Sequence, residues 1–175
     1  EKRDPENKLY ARMLRRRLDW ESWRDAILTA TGQIDLKMGG PASAISDFKN
    51  VRRSLYGASD RQDMNPMLRI HDFPDPAAHS AARTETATAL QMLFSLNSPF
   101  LLAQADAFAA RLEKEAGPEL NARVTRAHAV LFQRPPTAKE LAMATRFLTG
   151  RETDKKAWSE YAQALLASNE TQFVD

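Results

Sequence analysis

Apolar residues recur at spacings of three and four through the second half of the chain, which is the spacing of one helix face. The pattern predicts helices over residues 87–97, 98–116, 119–132, 137–148 and 154–168. Local signals support the boundaries. Ser98 followed by Pro99 is a typical helix start, and Thr137 with Glu140 three residues later forms a capping box. This half of the chain is therefore predicted to be helical throughout.

The first half contains one predicted helix and two irregular segments. Residues 8–31 are rich in helix formers and lack Gly and Pro. Within this segment Asp19 is in position to cap the start of a new helix, and Gly32, directly after the segment, is a typical helix end. The core face of this helix is expected to carry Trp20, Trp23, Ile27 and Ala30. Residues 33–50 are expected to be irregular because they contain Gly39-Gly40-Pro41.

Residues 51–56 favour extended structure and predict a short strand, for which the terminal Gln172-Phe173-Val174 is the proposed partner. Residues 57–82 carry three prolines and predict a long ordered loop, with one helical turn near residues 67–70. The predicted fold class is therefore mainly α. We expect a single domain over residues 1–175 with five or six helices, this loop and at most a short two-stranded ribbon.

The helix that opens at Ser98 is predicted to pack tightly against residues 87–97 at the centre of the core. Asn97 is expected to join the two helices in the left-handed conformation. The Ser98 hydroxyl is expected to cap the second helix. The apolar surface of this corner is predicted to come from Leu90, Leu93, Phe94, Phe100, Leu101 and Phe108.

The amino-acid composition excludes several kinds of binding site. The 175 residues are 43% hydrophobic and 27% charged with a net charge of +2, which is normal for a globular domain and gives no bias toward nucleic acid. The absence of cysteine excludes disulfides, Cys-ligated zinc and iron–sulfur clusters within this chain. No apolar run approaches the length of a transmembrane segment. Because the first residue is Glu1, we expect the chain to be a piece of a longer or processed polypeptide.

His71, Asp72, Asp75 and His79 are the residues closest to a metal-binding set. Pro74 and Pro76 separate their side chains, and the three histidines provide no pair four residues apart on a helix. We therefore predict that the chain binds no metal and no other cofactor. Asp72 and Asp75 are expected to cap turns instead.

Arginines are concentrated in two places, at residues 12–17 and at residues 52–53. Helical periodicity spreads the first group around the axis, and no recognised nucleic-acid module accompanies it, so we predict no nucleic-acid binding. Arg52 and Arg53 are expected to anchor the loop of residues 57–82 through Asp72, Asp75 or loop carbonyls. The tryptophans are assigned to the core rather than to a sugar-stacking platform.

An ordered set of short motifs carries a family resemblance. The motifs are Arg15-Arg16-Arg17-Leu18, Trp23-Arg24-Asp25-Ala26-Ile27-Leu28, Lys37-Met38-Gly39-Gly40-Pro41, Arg52-Arg53-Ser54-Leu55-Tyr56, His71-Asp72-Phe73-Pro74-Asp75, Ala89-Leu90-Gln91, Leu96-Asn97-Ser98-Pro99-Phe100, Arg134-Pro135-Pro136-Thr137 with Glu140, and Ala164-Leu165-Leu166-Ala167-Ser168-Asn169-Glu170. In this order the chain resembles the C-terminal portion of the planctomycete-type PSD-one domain, domain of unknown function family 1553. It departs from the expected pattern at His71 and at Ala87-Thr88.

The resemblance implies an exported, multidomain parent protein, often with a cytochrome-c-like domain, and hence a periplasmic or cell-envelope location. It implies no catalytic residues. We therefore expect a non-catalytic structural or interaction module whose partners are the upstream domains of the same polypeptide. The alternative is an enzyme or a carbohydrate- or ligand-binding domain with a site beside the loop of residues 57–82. That site would be formed by Arg52, Arg53, Asp72, Asp75, Arg83 and Gln91.

Overall fold

A computed structural model of the chain describes residues 4–174 and is mainly helical over that range. The helices are α1 (Trp20–Thr31), α2 (Pro66–Ile70), α3 (Ala89–Asn97), α4 (Pro99–Ala116), α5 (Leu120–Phe132), α6 (Ala138–Leu148), α7 (Lys155–Leu166) and α8 (Asn169–Gln172). A two-stranded antiparallel ribbon joins β1 (Arg16–Arg17) to β2 (Phe173–Val174). The predicted fold class is confirmed: the six predicted helices and the helical turn within the loop are present, and α8 is an additional short helix.

Helix α4 forms the centre of the domain and packs against α1, α5 and α7. Its side chains Leu101, Phe108 and Leu112 are completely buried. From α1, Ile27 and Leu28 complete this core. Burial of a continuous apolar cluster is the main favourable contribution to the free energy of folding, so α4 is the element on which the other helices depend.

Most of the predicted helix ends agree with the structure because they are set by local capping contacts. The backbone N–H of Leu101 donates to the Ser98 hydroxyl over 3.2 Å. Thr137 and Glu140 form the predicted capping box at the start of α6. Gly32 ends α1 in the left-handed conformation, with a φ of 73° that a side chain would disfavour. These ends are each fixed by a few residues close in sequence.

The strand predicted over residues 51–56 is wrong. The segment forms a 3-10 turn, Ser54–Tyr56, and the partner of β2 is β1. Side chains from α1 explain the difference. The Asp25 carboxylate accepts hydrogen bonds of 2.8 Å from both the N–H and the hydroxyl of Ser54. Arg24 donates to the carbonyl of Arg52 at 2.8 Å. Backbone groups that a strand would use for pairing are therefore occupied by side chains.

The first helix is shorter than the helix predicted over residues 8–31. It begins at Trp20 because the preceding residues form the ribbon, and the N–H of Leu18 donates to the carbonyl of Gln172 over 2.8 Å. Asp19 occupies the N-cap position, but its side chain makes no capping hydrogen bond. Its carboxylate lies 3.6 Å from the Arg83 guanidinium instead.

The corner between α3 and α4 forms at the predicted place with a different geometry. Asn97 is the last residue of α3 and is not among the left-handed residues of the described chain. Its amide donates to the carbonyl of Leu93 over 3.0 Å. Ser98 alone makes the turn, with a φ of −68° and a ψ of 136°. The predicted left-handed conformation of Asn97 was therefore wrong.

Candidate functional site

Two residues of the predicted ligand site, Asp72 and Gln91, lie in direct contact. The Gln91 amide donates to the Asp72 carboxylate over 3.1 Å. Asp72 also accepts from the Thr86 N–H at 2.9 Å and from the Thr86 hydroxyl at 2.8 Å. Arg17 closes the group by donating to the Thr86 carbonyl at 2.6 Å. We call Arg17, Asp72, Thr86 and Gln91 the polar cluster.

The polar groups of this cluster are used to hold two segments of the chain together. Partial burial alone would raise the pKa of the Asp72 carboxyl, but its hydrogen bonds from Thr86 and Gln91 outweigh burial and lower the pKa below its usual value. A carboxylate in this state stays ionised at neutral pH and accepts bonds from its neighbours. It joins the loop before α3 to the end of α2, so we assign it a positioning role.

Arg83 borders the polar cluster, but its guanidinium is engaged elsewhere. It donates to both carboxylate oxygens of Glu21, at 2.8 and 2.6 Å, and lies over the Phe73 ring. Burial would raise the pKa of Glu21, yet the bonds from Arg83 hold that pKa below its usual range. The pair joins the segment before α3 to the first turn of α1.

The remaining residues of the predicted site lie apart from this group. Arg52 donates to the carbonyls of Gly39 at 2.6 Å and Pro41 at 2.8 Å, so it anchors the segment of residues 33–50. Its predicted anchoring of the loop of residues 57–82 was therefore wrong. Arg53 is exposed, which also contradicts its predicted anchoring role. Asp75 caps a turn by accepting from the N–H of Ala77 at 2.9 Å, as predicted.

The histidines and acidic residues near the loop do not form a metal-binding set. His71 is buried, and its Nδ1 lies 2.8 Å from the carbonyl oxygen of Met67. Burial lowers the pKa of this imidazole. Its ring packs edge-on against Phe94 with centroids 4.7 Å apart. Within residues 4–174, no three His, Asp or Glu side chains converge in a way that would hold a metal ion.

Arg24 is a buried residue with a structural role that the apolar pattern did not predict. Its side chain is 2% exposed, and it donates to the carbonyls of Asn50 and Arg52 and, at 3.1 Å, to the Ser54 hydroxyl. Burial lowers the pKa of its guanidinium. A signal was present in the sequence: Arg24 stands four residues after Trp20 and three before Ile27, and is thus on the core face of α1.

Helix α3 reverses the ordinary amphipathic arrangement. Its buried residues are the polar Gln91 and Ser95. Four large apolar residues face outward, and we call them the α3 outer face: Leu90 at 60% exposure, Met92 at 46%, Leu93 at 54% and Leu96 at 50%. The polar cluster requires Gln91 to point inward, and a period of 3.6 residues then turns these side chains to the surface. The prediction that Leu90 and Leu93 lie in the core was wrong for this reason.

A second group of charges joins the C-terminal helices. Arg134 donates to both carboxylate oxygens of Glu140, at 2.9 and 2.7 Å, and to Glu170 at 2.7 Å. The guanidinium, together with the N–H of Thr137, holds the pKa of Glu140 far below its usual range. These ion pairs hold the turn between α5 and α6 against α8.

We expect Glu140→Gln to destabilise the domain at pH 7 by no more than about 1 kcal/mol, because solvent screens this partly exposed pair. The side-chain carbonyl oxygen of glutamine can still accept from the N–H of Thr137 in the capping box, so the variant removes the charge and one of the two oxygens that accept from Arg134. The folded-state pKa of Glu140 lies below the unfolded value of about 4.3, so its contribution is present above that pH and disappears as the pH falls below it. The difference in urea midpoint between the variant and the parent should therefore be constant from pH 7 to about pH 5 and become smaller toward pH 3. A constant difference down to pH 3 would contradict this assignment, and Asp106→Asn, which removes an exposed carboxylate on α4, serves as the control.

The fold and its side-chain networks define a mainly α-helical domain whose loops are held by buried and half-buried polar contacts, with the apolar α3 outer face at the surface. The model of the PSD1 family, described as a protein of unknown function (DUF1553), matches residues 1–148. The chain belongs to that family. No curated protein and no solved structure matches the chain. Among the described residues, no helix is both long and apolar enough to cross a membrane.

Proposed function

We propose that this chain is a non-catalytic interaction module that binds its partner through the α3 outer face. The observation that supports the proposal is the orientation of α3, which buries polar side chains and exposes Leu90, Met92, Leu93 and Leu96. Contiguous apolar surface of this kind on a folded domain commonly marks an interaction site. A short helix with apolar side chains on one side matches the way that helices dock into apolar grooves.

The stability of the α3 orientation also supports the proposal. The Gln91 amide is bonded to Asp72 and to the carbonyl of Ile70, and its carbonyl oxygen accepts from the N–H of Thr88. Rotating α3 to bury the leucines would break these bonds and leave buried polar groups unpaired. The α3 outer face is therefore presented in a fixed conformation, which lowers the entropy cost of binding.

The proposed partner is another part of the same polypeptide. This choice rests on the family resemblance, which implies upstream domains in an exported protein at the cell envelope. The charged residues of the polar cluster and Arg83 are engaged with neighbouring groups, so the interaction would rely on apolar contact rather than on these charges. An interface between domains of one chain needs no high intrinsic affinity, because the effective concentration is high.

The alternative proposal is ligand binding beside the loop of residues 57–82. A hollow of about 380 Å³ lies there, and its lining includes Ser54, Leu68, Phe73 and Arg83. Its volume is in the range of small-molecule sites. An anionic ligand would have to compete with Glu21 for Arg83, whose two hydrogen bonds to that carboxylate are already formed. For that reason we favour the interaction module.

Single-cysteine labelling tests the proposed interaction, because the chain has no cysteine of its own. Leu93→Cys places a thiol on the α3 outer face, and Met143→Cys places a control thiol on α6, where Met143 is 64% exposed. In the isolated chain both thiols should react readily with a maleimide. In the full-length gene product we expect the thiol of Leu93→Cys to react at least about tenfold more slowly than in the isolated chain, which corresponds to about 1.4 kcal/mol of protection. The thiol of Met143→Cys should react at the same rate in both proteins.

Three results would contradict the proposal. The first is equal labelling at position 93 in the isolated and full-length proteins. The second is a gene product with no further domain to cover the face. The third is protection that already appears in the isolated chain and increases with its concentration, because a second copy of the chain would then be the partner.

A further inference from the structure

A groove separate from the α3 outer face lies between α6 and α7, with His128 of α5 at its base. Its volume is about 330 Å³. The apolar part of its lining is formed by Phe132, Met143, Phe147 and Leu165. Met143 is 64% exposed and Phe147 is 43% exposed, so the groove is open on its outer side. Size and lining match those of small-molecule sites, which are mostly apolar with a few polar groups.

His128 gives the groove a polar group that needs a partner. The residue is 2% exposed, and no described residue forms a hydrogen bond with its Nδ1. The nearest carboxylate oxygen, Oε2 of Glu140, lies 4.0 Å away and already accepts from Arg134 and from the N–H of Thr137. Buried polar atoms are rarely left unpaired, and those that are call for an explanation.

The other ring nitrogen and its neighbour restrict what can bind. Nε2 of His128 lies 3.4 Å from the Tyr161 hydroxyl oxygen. Burial lowers the pKa of His128 and raises the pKa of Tyr161, so both groups are neutral at pH 7. In a neutral imidazole one nitrogen is a donor and the other is an acceptor. If Tyr161 donates to Nε2, Nδ1 carries the proton, and in the opposite tautomer Nδ1 is an acceptor.

We propose that this groove binds a small apolar molecule that carries one hydroxyl group, with the hydroxyl paired to Nδ1 of His128. A hydroxyl both donates and accepts, so it satisfies Nδ1 in either tautomer. The apolar body of the molecule covers Met143 and Phe147 and removes their surface from water. A charged ligand is disfavoured because the base of the groove is buried, and the nearby Glu140 is neutralised by Arg134.

The test compares two probes that differ by the hydroxyl, 4-ethylphenol and ethylbenzene, added to the unmodified chain at pH 7. Proton–carbon NMR should show 4-ethylphenol shifting the imidazole Cε1–H of His128 and the methyl group of Met143. We expect 4-ethylphenol to bind about tenfold more tightly than ethylbenzene, the size of effect that one buried hydrogen bond produces. Equal affinity for the two probes, no binding of either, or shifts confined to His71 and His79 would each overturn the proposal.

Two variants locate the site. His128→Phe keeps a ring of similar size but removes the hydrogen-bonding nitrogen, so it should bring the affinity for 4-ethylphenol down to that for ethylbenzene. Phe147→Ala should weaken both probes, whereas Leu102→Ala, a residue of nearly the same exposure at 44%, should weaken neither. Circular dichroism of each variant checks that it is folded. If His128→Phe does not fold, the ratio of the two affinities in the unmodified chain still decides the outcome.

Discussion

Replacing Arg24 with alanine is expected to lower the free energy of unfolding by about 3–5 kcal/mol, the usual cost of removing one partner from a buried charged contact. The guanidinium is almost completely buried and holds the carbonyls of Asn50 and Arg52 and the hydroxyl of Ser54. Without it, these acceptors lose their partner inside the protein and Asp25 loses its neighbouring cation. Urea unfolding followed by tryptophan fluorescence measures the change.

Arg53→Ala is the matched control for this prediction. Arg53 lies between Arg52 and Ser54, two of the residues that Arg24 contacts, but its side chain is exposed, so we expect a change within about 0.5 kcal/mol. A substantially larger loss for Arg53→Ala than for Arg24→Ala would show that the wrong arginine has been assigned to the structural role. A loss below about 1 kcal/mol for Arg24→Ala would show that water replaces its hydrogen bonds at little cost.

Features determined by neighbouring residues were predictable from the sequence. The capping box of Thr137 and Glu140, the Ser98 cap and the stop at Gly32 each depend on residues within one turn of each other. The periodic apolar pattern then defined the helices between these ends. For the same reason the mainly α fold class and five of the six main helices were predicted with nearly correct bounds.

Features determined by contacts between distant residues were not predictable in this way. The orientation of α3 depends on Gln91, which contacts Asp72 and Arg17, and Arg17 stands 74 residues away in the sequence. The apolar pattern alone indicated that Leu90 and Leu93 face the core. The partner of β2 was missed for a related reason, because α1 side chains occupy the backbone of residues 51–56 and leave β1 to pair with it.

The motifs that carry the family resemblance coincide with the polar contacts that hold the fold. Arg24 and Asp25 contact the segment around Ser54, Asp72 contacts Gln91, and Arg134 contacts Glu140. Each contact joins two of the motifs to one another or closes a turn within one. A structural role for these charged residues supports the proposal of a non-catalytic module, because their polar atoms are used within the fold.

Phe108→Ala is expected to be the most damaging change in the apolar core, with a loss of about 3–5 kcal/mol in the free energy of unfolding. The Phe108 side chain is completely buried in α4, the helix that packs against α1, α5 and α7. Truncation leaves a cavity on the buried face of α4, and a close-packed core cannot collapse to fill it without moving α4. A domain of ordinary stability would be left close to its unfolding threshold.

Two further truncations separate the core from the proposed interaction surface. Phe94 is half-buried and contacts His71 edge-on, so Phe94→Ala should cost less, no more than about 2 kcal/mol. Leu93→Ala, on the α3 outer face, should change the free energy of unfolding by less than about 0.5 kcal/mol in the isolated chain. The urea midpoint should therefore be highest for Leu93→Ala, lower for Phe94→Ala and lowest for Phe108→Ala. A large loss for Leu93→Ala in the isolated chain would mean that the face is already buried there, and that α3 packs its leucines inward as the apolar pattern alone predicts.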